Sequence, residues 1–315
     1  TTRTPQAHAE TMERRLRLRW DGPFTPPSLE GTLIMPSFDG GGEWGGAAVN
    51  PRTGIMYVNA NEIPCIVSMF DASEDASKGD SHGKRIYSQN CVFCHGVDMK
   101  GDPIRVFPPL KDLQKKYTME QMTLQLKNGK ERMPAFAYLS QGDIDAVLKY
   151  ICGLEDAATT ARDAQVSGPP VEPGKQWFNH SGYTRFVDKD GYPAITPPWG
   201  TLTAIDLNNG EHVWQVPLGY NPELGPEETG TENYGGPVVT ASGLIFIAAS
   251  KDAHLRAIDE TTGKTLWMGK LPFAGYATPS TYMAKGRQYV VIAAAGGKLG
   301  TAAGDAYVAF ALPRK

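Results

Sequence analysis

The sequence predicts a mainly-β chain, a partial β-propeller, interrupted by an all-α insert. Three observations carry that prediction: a repeat of strand–turn–strand units, two shifts in composition, and too few repeats for a closed ring. The repeat is Leu202-Thr203-Ala204-Ile205-Asp206 followed by Gly210 and Trp214. It recurs as Leu255-Arg256-Ala257-Ile258-Asp259 followed by Gly263 and Trp267. Each copy alternates apolar residues about a tight turn, at Asn209-Gly210 or Thr262-Gly263, as β-hairpins do. A second hairpin runs from Gly45-Gly46-Ala47-Ala48-Val49 through Thr53-Gly54 to Val58. It returns as Gly235-Gly236-Pro237-Val238-Val239 through Ser242-Gly243 to Ile247, and more loosely from Ala277 to Ala293 across Lys285-Gly286. Four-stranded units recurring at about 40–55 residues mark propeller blades. Tyr307–Leu312 matches the first strand of the repeat and stops before a tryptophan, which suits a unit that closes a ring. Material for about three to four blades is present, whereas a ring takes four to eight. Further blades are therefore expected outside this chain, which reads as the C-terminal portion of a larger protein or as one chain of an assembled whole.

Composition sets the expected boundaries. Residues 31–70 and 195–315 are rich in Gly, Val, Ile and Tyr, while residues 74–155 carry helical patterns. Ala157–Gly174, rich in Ala, Thr, Pro and Gly, reads as a linker. The expected organisation is a propeller piece over 1–73, a helical domain over 74–156, a linker over 157–175 and a propeller piece over 176–315. The 35 glycines and 24 prolines agree with many tight turns. Near the start, Met12, Leu16 and Leu18 among the charges of Glu13–Arg19 describe a solvated helix rather than a binding arm. A net charge of −3 leaves no basic footprint for nucleic acid. No run of about 18 apolar residues predicts a membrane span. The polar Thr1–Glu10 does not read as a signal peptide, so a mature product or a piece of a longer chain is expected.

The helical region holds Cys91-Val92-Phe93-Cys94-His95, the C-x-x-C-H string of c-type haem attachment. Two cysteines one helical turn apart reach the two vinyl groups on one porphyrin edge, and the adjacent histidine points its imidazole at the iron. A zinc half-site would need a second pair of ligands, and a thioredoxin-like redox pair would need a βαβ context. Neither accompanies the string, so Cys91 and Cys94 are expected to hold haem c, with His95 on the iron. Further along, Arg132-Met133-Pro134-Ala135-Phe136 places a methionine in a proline-containing turn, where a side chain can be aimed. Thioether sulfur is a soft iron ligand, and Met133 is the expected sixth ligand. Met119 and Met122 compete but fall on an amphipathic helical pattern with Leu124 and Leu126, which places them in a core. Cys65 and Cys152 stand alone in apolar surroundings. They read either as small buried hydrophobes or as a disulfide in an oxidising compartment, and sequence leaves both open.

Around the attachment string the residues resemble a class I cytochrome c domain. That resemblance implies that Phe107-Pro108-Pro109-Leu110 supplies a carbonyl to the histidine Nδ1–H. It also implies a crossing of first and last helices at Gly83, Tyr87 and Tyr150, with Ser140 and Asp143 capping the last helix. The propeller pieces resemble the pyrroloquinoline-quinone (PQQ) dehydrogenases with tryptophan-docking repeats, the glucose dehydrogenase branch above all. Pro197-Pro198-Trp199-Gly200-Thr201-Leu202, Glu232-Asn233-Tyr234-Gly235-Gly236-Pro237 and Arg287-Gln288-Tyr289-Val290-Val291-Ile292 carry the likeness. Within it, Trp214 and Trp267 are docking residues. Trp44 and Tyr234, each before a Gly-Gly pair, are the positions for contact with PQQ, and Lys298 in its Gly-rich loop is placed to meet a quinone carboxylate. Simple packing accounts for aromatic-Gly-Gly equally well. The family's aspartate base falls in blades that have no match here, so the base is expected upstream; Asp206 and Asp259 read as turn structure.

These resemblances imply the C-terminal part of a quinohaemoprotein dehydrogenase, an enzyme when whole. PQQ, with a divalent cation such as calcium, would oxidise a sugar or alcohol hydroxyl and pass electrons to the haem c. From there they would reach a soluble cytochrome, a copper protein or a membrane oxidase, and the expected location is the periplasm. The other reading is an electron-carrier or interaction subunit whose β part is a scaffold without quinone binding.

Overall fold

A computed structural model of the chain describes residues 1–38, 40–71, 81–101, 107–130, 133–155, 178–180, 182, 184–225, 227 and 229–313. The expected linker, 157–175, lies outside the described residues. The chain divides into two compact units. One comprises Thr1–Thr25, Leu33–Ile66 and Arg185–Lys315, and the other Pro26–Thr32 and Val67–Thr184.

In the first unit, Ala48–Asn50, Ile55–Asn61, Gly200–Asp206 and His212–Pro217 form one four-stranded antiparallel blade in that order. Ile55 pairs with Asp206 and Asn61 with Gly200. The two hairpins that read as separate repeats are thus halves of one blade, and residues 62–199 enter between its second and third strands. A second blade runs Val238–Val239, Leu244–Ile247, His254–Asp259 and Thr265–Lys270. Ser280–Ala284, Arg287–Gly296 and Ala303–Phe310 make a three-stranded sheet. The described strands are mainly β and propeller-like, as the repeats predict.

Alternation buries one face of each strand. Leu202, Ala204, Ile245, Ile247 and Ile258 fill the layer between the two blades with Tyr57, and Leu255, Leu271, Val290 and Ile292 fill the next. Both repeat tryptophans staple adjacent sheets. The Trp214 indole N–H donates to Glu260 O at 3.1 Å and its ring stacks on Tyr57 at 5.9 Å. A Cβ on Gly263 would lie 2.8 Å from the Trp214 ring, which explains the glycine at that turn. Trp267 meets Phe310 of the third sheet edge-on at 5.1 Å.

The first helix, α1, spans Pro5–Arg15. It starts earlier than its apolar pattern implies because the Thr4 hydroxyl accepts from the Ala7 N–H and Pro5 suits the first turn. Leu16 and Leu18 therefore lie past its end. Leu16 is exposed, whereas Leu18 packs near Leu33 and Phe186.

The second unit holds α2 (His82–Asn90), α3 (Val92–His95), α4 (Met119–Asn128) and α5 (Gln141–Ile151). Ser140 and Asp143 form the expected capping box of α5, and Thr118 and Gln121 form another on α4. Ile86, Val92, Met122, Leu126, Ile144 and Val147 make the core. Met122 belongs there as expected; Met119, the first residue of α4, is 37% exposed instead and lies outside the core cluster. Cys152 is part of this core, and Cys65 is buried in the strand Cys65–Val67 of the chain. Met69–Asp71 pairs antiparallel with Phe178–His180, so the longer segment of this unit, Val67–Thr184, begins and ends on adjacent strands.

Helix α2 crosses α5 at Gly83, where a Cβ would lie 2.2 Å from Ala146 O and 2.7 Å from the Tyr150 Cβ. Tyr87 and Tyr150 meet beside it, with ring centroids 5.5 Å apart. Alanine in a free helix is favoured over glycine by about 1 kcal/mol. At this crossing the sign reverses: Gly83→Ala is expected to cost the helical unit about 2–3 kcal/mol in chemical denaturation, because the clash is with backbone.

Candidate functional site

Two groups of predicted residues lie one in each unit. In the helical unit, Cys91 joins α2 to α3, and His95 ends α3. Tyr87 secures the string by donating its hydroxyl to Gly96 O at 2.6 Å. Gly101, at φ +66°, turns the chain back so that its N–H reaches His95 O at 2.9 Å. A Cβ there would lie 2.2 Å from Phe107 O, so the close return that brings Pro108 to the histidine requires a glycine. The His95 Nδ1–H donates to Pro108 O at 2.9 Å. That bond fixes the tautomer and leaves the Nε2 lone pair for a metal. Burial lowers the His95 pKa, opposed by the Pro108 bond. Burial, and then Cys94, push the Cys91 thiol up to about 12, and burial raises Cys94. A thiol held neutral is a poor nucleophile, which does not suit a reactive redox pair.

Met133 lies in a loop tied at both ends to α4. Lys130 and Met133 exchange backbone hydrogen bonds at 3.0 and 2.9 Å, and the Phe136 N–H donates to Leu126 O at 2.8 Å. Gly129, at φ +72°, lets this loop pass within 2.6 Å of its would-be Cβ. Met133 packs against the core, its Sδ 3.7 Å from Gln125 Nε2. Two thiols, an imidazole held through its outer nitrogen and a thioether form a donor set that fits a covalently attached haem. Among the described residues no group of three His, Cys, Asp or Glu side chains is placed to hold a metal ion.

In the propeller unit, Trp44, Tyr234 and Lys298 come together from three distant segments. The Lys298 ammonium lies 3.8 Å from the Tyr234 ring centroid and 5.9 Å from that of Trp44, within cation–π range of both. Trp44 is 67% exposed and Tyr234 is buried. Beneath them the Gly-Gly pairs interlock: a Cβ on Gly45 would lie 2.0 Å from Gly235 C, and one on Gly236 2.5 Å from Gly45 O. The Lys298 loop is anchored by Tyr276, whose hydroxyl donates to Lys298 O at 3.3 Å. Burial pushes the Tyr276 pKa up to about 12.

Sequence reasoning missed the polar network that holds this arrangement. Asn59 Nδ2 donates to Asn233 Oδ1 at 2.6 Å and Gly235 O at 3.0 Å. Asn61 Nδ2 donates to Glu43 Oε1 at 2.6 Å, and Asn61 Oδ1 accepts from the Asn233 N–H at 2.8 Å. Asn233 Nδ2 in turn donates to Ala60 O at 3.0 Å. Glu232 accepts from Arg185 at 2.7 Å and from the Tyr234 hydroxyl at 3.2 Å. A signal was present: asparagine at alternate positions 59 and 61 of a strand is disfavoured unless its side chain has a dedicated partner.

A propeller with a helical C-x-x-C-H module inserted in one blade defines the class. The family model for the PQQ glucose/ethanol/alcohol dehydrogenase β-propeller domain matches residues 1–105 and 135–290, and the chain belongs to that family. Residues 79–151 match a second model, cytochrome c oxidase, cbb3-type, subunit III. Among curated proteins, the glycerol dehydrogenase large subunit of Gluconobacter oxydans (strain 621H) is 32% identical over 94% of this chain and 32% of its own length. The quinoprotein glucose dehydrogenase of Escherichia coli (strain K12) is 29% identical over 94% of this chain and 29% of its own. The chain thus spans about a third of the length of these relatives. A solved quinohaemoprotein alcohol dehydrogenase from Comamonas testosteroni covers 84% of this chain and 24% of its own, with 17% identity and a TM-score of 0.41.

Replacing Asn233 by leucine takes one of its two acceptors from the Asn59 amide and the side-chain donor from the Ala60 carbonyl, in a buried layer. Asn233→Leu is expected to lower stability by about 2–4 kcal/mol, read from the denaturant midpoint at unchanged slope.

Proposed function

We propose that this chain is the haem-bearing, C-terminal part of a quinohaemoprotein dehydrogenase that oxidises a sugar or alcohol hydroxyl. The observation that carries this reading is the union, in one chain, of a PQQ-family propeller with a helical module whose His95 is already held through Nδ1. When bound, PQQ supplies the two-electron oxidation and haem c the one-electron relay. Cys91 and Cys94 would anchor the haem, His95 and Met133 would ligate its iron, and Pro108 O keeps the imidazole oriented.

In the propeller, Trp44 and Tyr234 offer aromatic faces for the planar quinone, and the Lys298 ammonium beside them offers charge to a carboxylate. Tyr276 and the interlocked glycines hold these three in place. We place the general base on blades beyond those described. Of the carboxylates here, Glu232 is committed to Arg185, while Asp206 accepts from the Asn208 N–H and Asp259 from the Thr262 hydroxyl, as turn residues do. The divalent cation, such as calcium, is assigned to the whole protein on the same grounds. A soluble cytochrome, a copper protein or a membrane oxidase would collect the electrons. Haem c is attached outside the bacterial cytoplasmic membrane, which supports the periplasm; among the described residues no helix is long and apolar enough to cross a membrane.

The full-length protein is expected to reduce an artificial dye with sugars or alcohols only after addition of PQQ and a divalent cation, and Lys298→Met should weaken PQQ binding roughly tenfold to a hundredfold. No cofactor-dependent turnover with any such substrate would leave the electron-carrier reading. Met133→Ala is expected to abolish the sulfur-to-iron charge-transfer absorption of the ferric haem; a surviving band removes Met133 as ligand.

A further inference from the structure

Helix α4 carries a polar residue on its buried stripe. Met122, Gln125, Leu126 and Gly129 fall at i, i+3, i+4 and i+7, the spacing of one helical face. Met122 and Leu126 are in the core, and Gly129 makes the tight exit from the helix. Gln125 stands between them, half-buried, and its amide Nε2 lies 3.7 Å from Met133 Sδ. This distance is within hydrogen-bond reach for sulfur, whose acceptor strength is weak.

The loop is built to produce that meeting. Gln125 O accepts the Gly129 N–H at 2.8 Å and so ends α4. The chain then reverses through Gly129, and the Lys130–Met133 bridge returns the methionine alongside the last turn of the helix that carries Gln125. Phe136 N–H to Leu126 O closes the loop on its far side. Helix and loop therefore bring the amide and the thioether together.

We infer that Gln125 is a positioning residue for the Met133 thioether, acting on the haem iron through that sulfur. This rests on the assignment of Met133 as axial ligand. A thioether has two lone pairs; an amide N–H on one leaves the other directed at the metal. The hydrogen bond also withdraws electron density from sulfur, which weakens its donation to ferric iron more than to ferrous iron. The consequence is a higher reduction potential and a methionine held more firmly in place.

The test is made on the haem-loaded holoprotein, with Gln125→Leu and Gln125→Glu, both of which remove the N–H while keeping bulk at the site. Both are expected to retain the sulfur-to-iron charge-transfer band. Both should shift the midpoint potential downward in a spectroelectrochemical titration and bind added imidazole to ferric haem roughly tenfold more tightly, as the methionine becomes easier to displace. A retained band with unchanged potential and imidazole affinity in both variants overturns the role of Gln125 alone. Absence of the band from the unsubstituted protein overturns the ligand assignment, and this inference with it.

Discussion

The strand Ile55–Asn61 finds its partner, Gly200–Asp206, only after residues 62–199 have intervened, and the first blade exists through that pairing. The layer of Tyr57, Leu202 and Ala204 against the second blade follows from it, as does the stacking of Trp214 on Tyr57. So does the asparagine network, because Asn59 and Asn61 end the same strand that must be in register for Asn233 to reach them. A slip of one residue would turn Asn59 and Asn61 outward and Val58 and Ala60 inward, stranding polar and apolar faces together.

A pairing across so long an interruption is costly in chain entropy unless the interruption closes on itself. The helical unit does so through Met69–Asp71 and Phe178–His180, which lie side by side. Seen from the blade, the insert behaves as a short connection. The same principle recurs at smaller scale within it: Gly101 returns the chain to His95, and the Lys130–Met133 bridge returns it to Gln125. In each case a left-handed glycine at the start of the return lets two distant groups meet at hydrogen-bond distance.

Local periodicity is legible in this sequence, and long-range assembly is not. The docking repeats and the α5 capping box are local patterns, and each is found where its residues predict; the glycine at the helix crossing is expected from the cytochrome c resemblance and is found there. The attachment string is legible for the same reason, whereas the Pro108 carbonyl is expected from the resemblance to class I cytochromes c and is found at the histidine. That the hairpins at Gly45 and Leu202 share a blade is invisible to periodicity, because both read as complete hairpins. Asn59, Asn61 and Asn233 were hidden because a buried amide makes sense only once its partner across the blades is known. Gln125 looks like an ordinary polar residue until Met133 is seen to return beside it. Met119 shows the opposite error: a periodic match does not by itself bury a residue, and this one stands 37% exposed at the helix start.

The interrupted blade also has a consequence for the order of synthesis. Once Ile55–Asn61 has left the ribosome, its outer hydrogen-bonding edge has no partner until residue 200 is made, on the order of ten seconds later at ordinary rates of elongation. During that interval the hairpin Ala48–Asn61 presents an open strand edge, and the helical unit is complete before the blade that surrounds it in sequence. The nascent chain therefore completes its helical module first and pairs the interrupted blade afterwards, with the open edge as the segment most in need of protection from other chains.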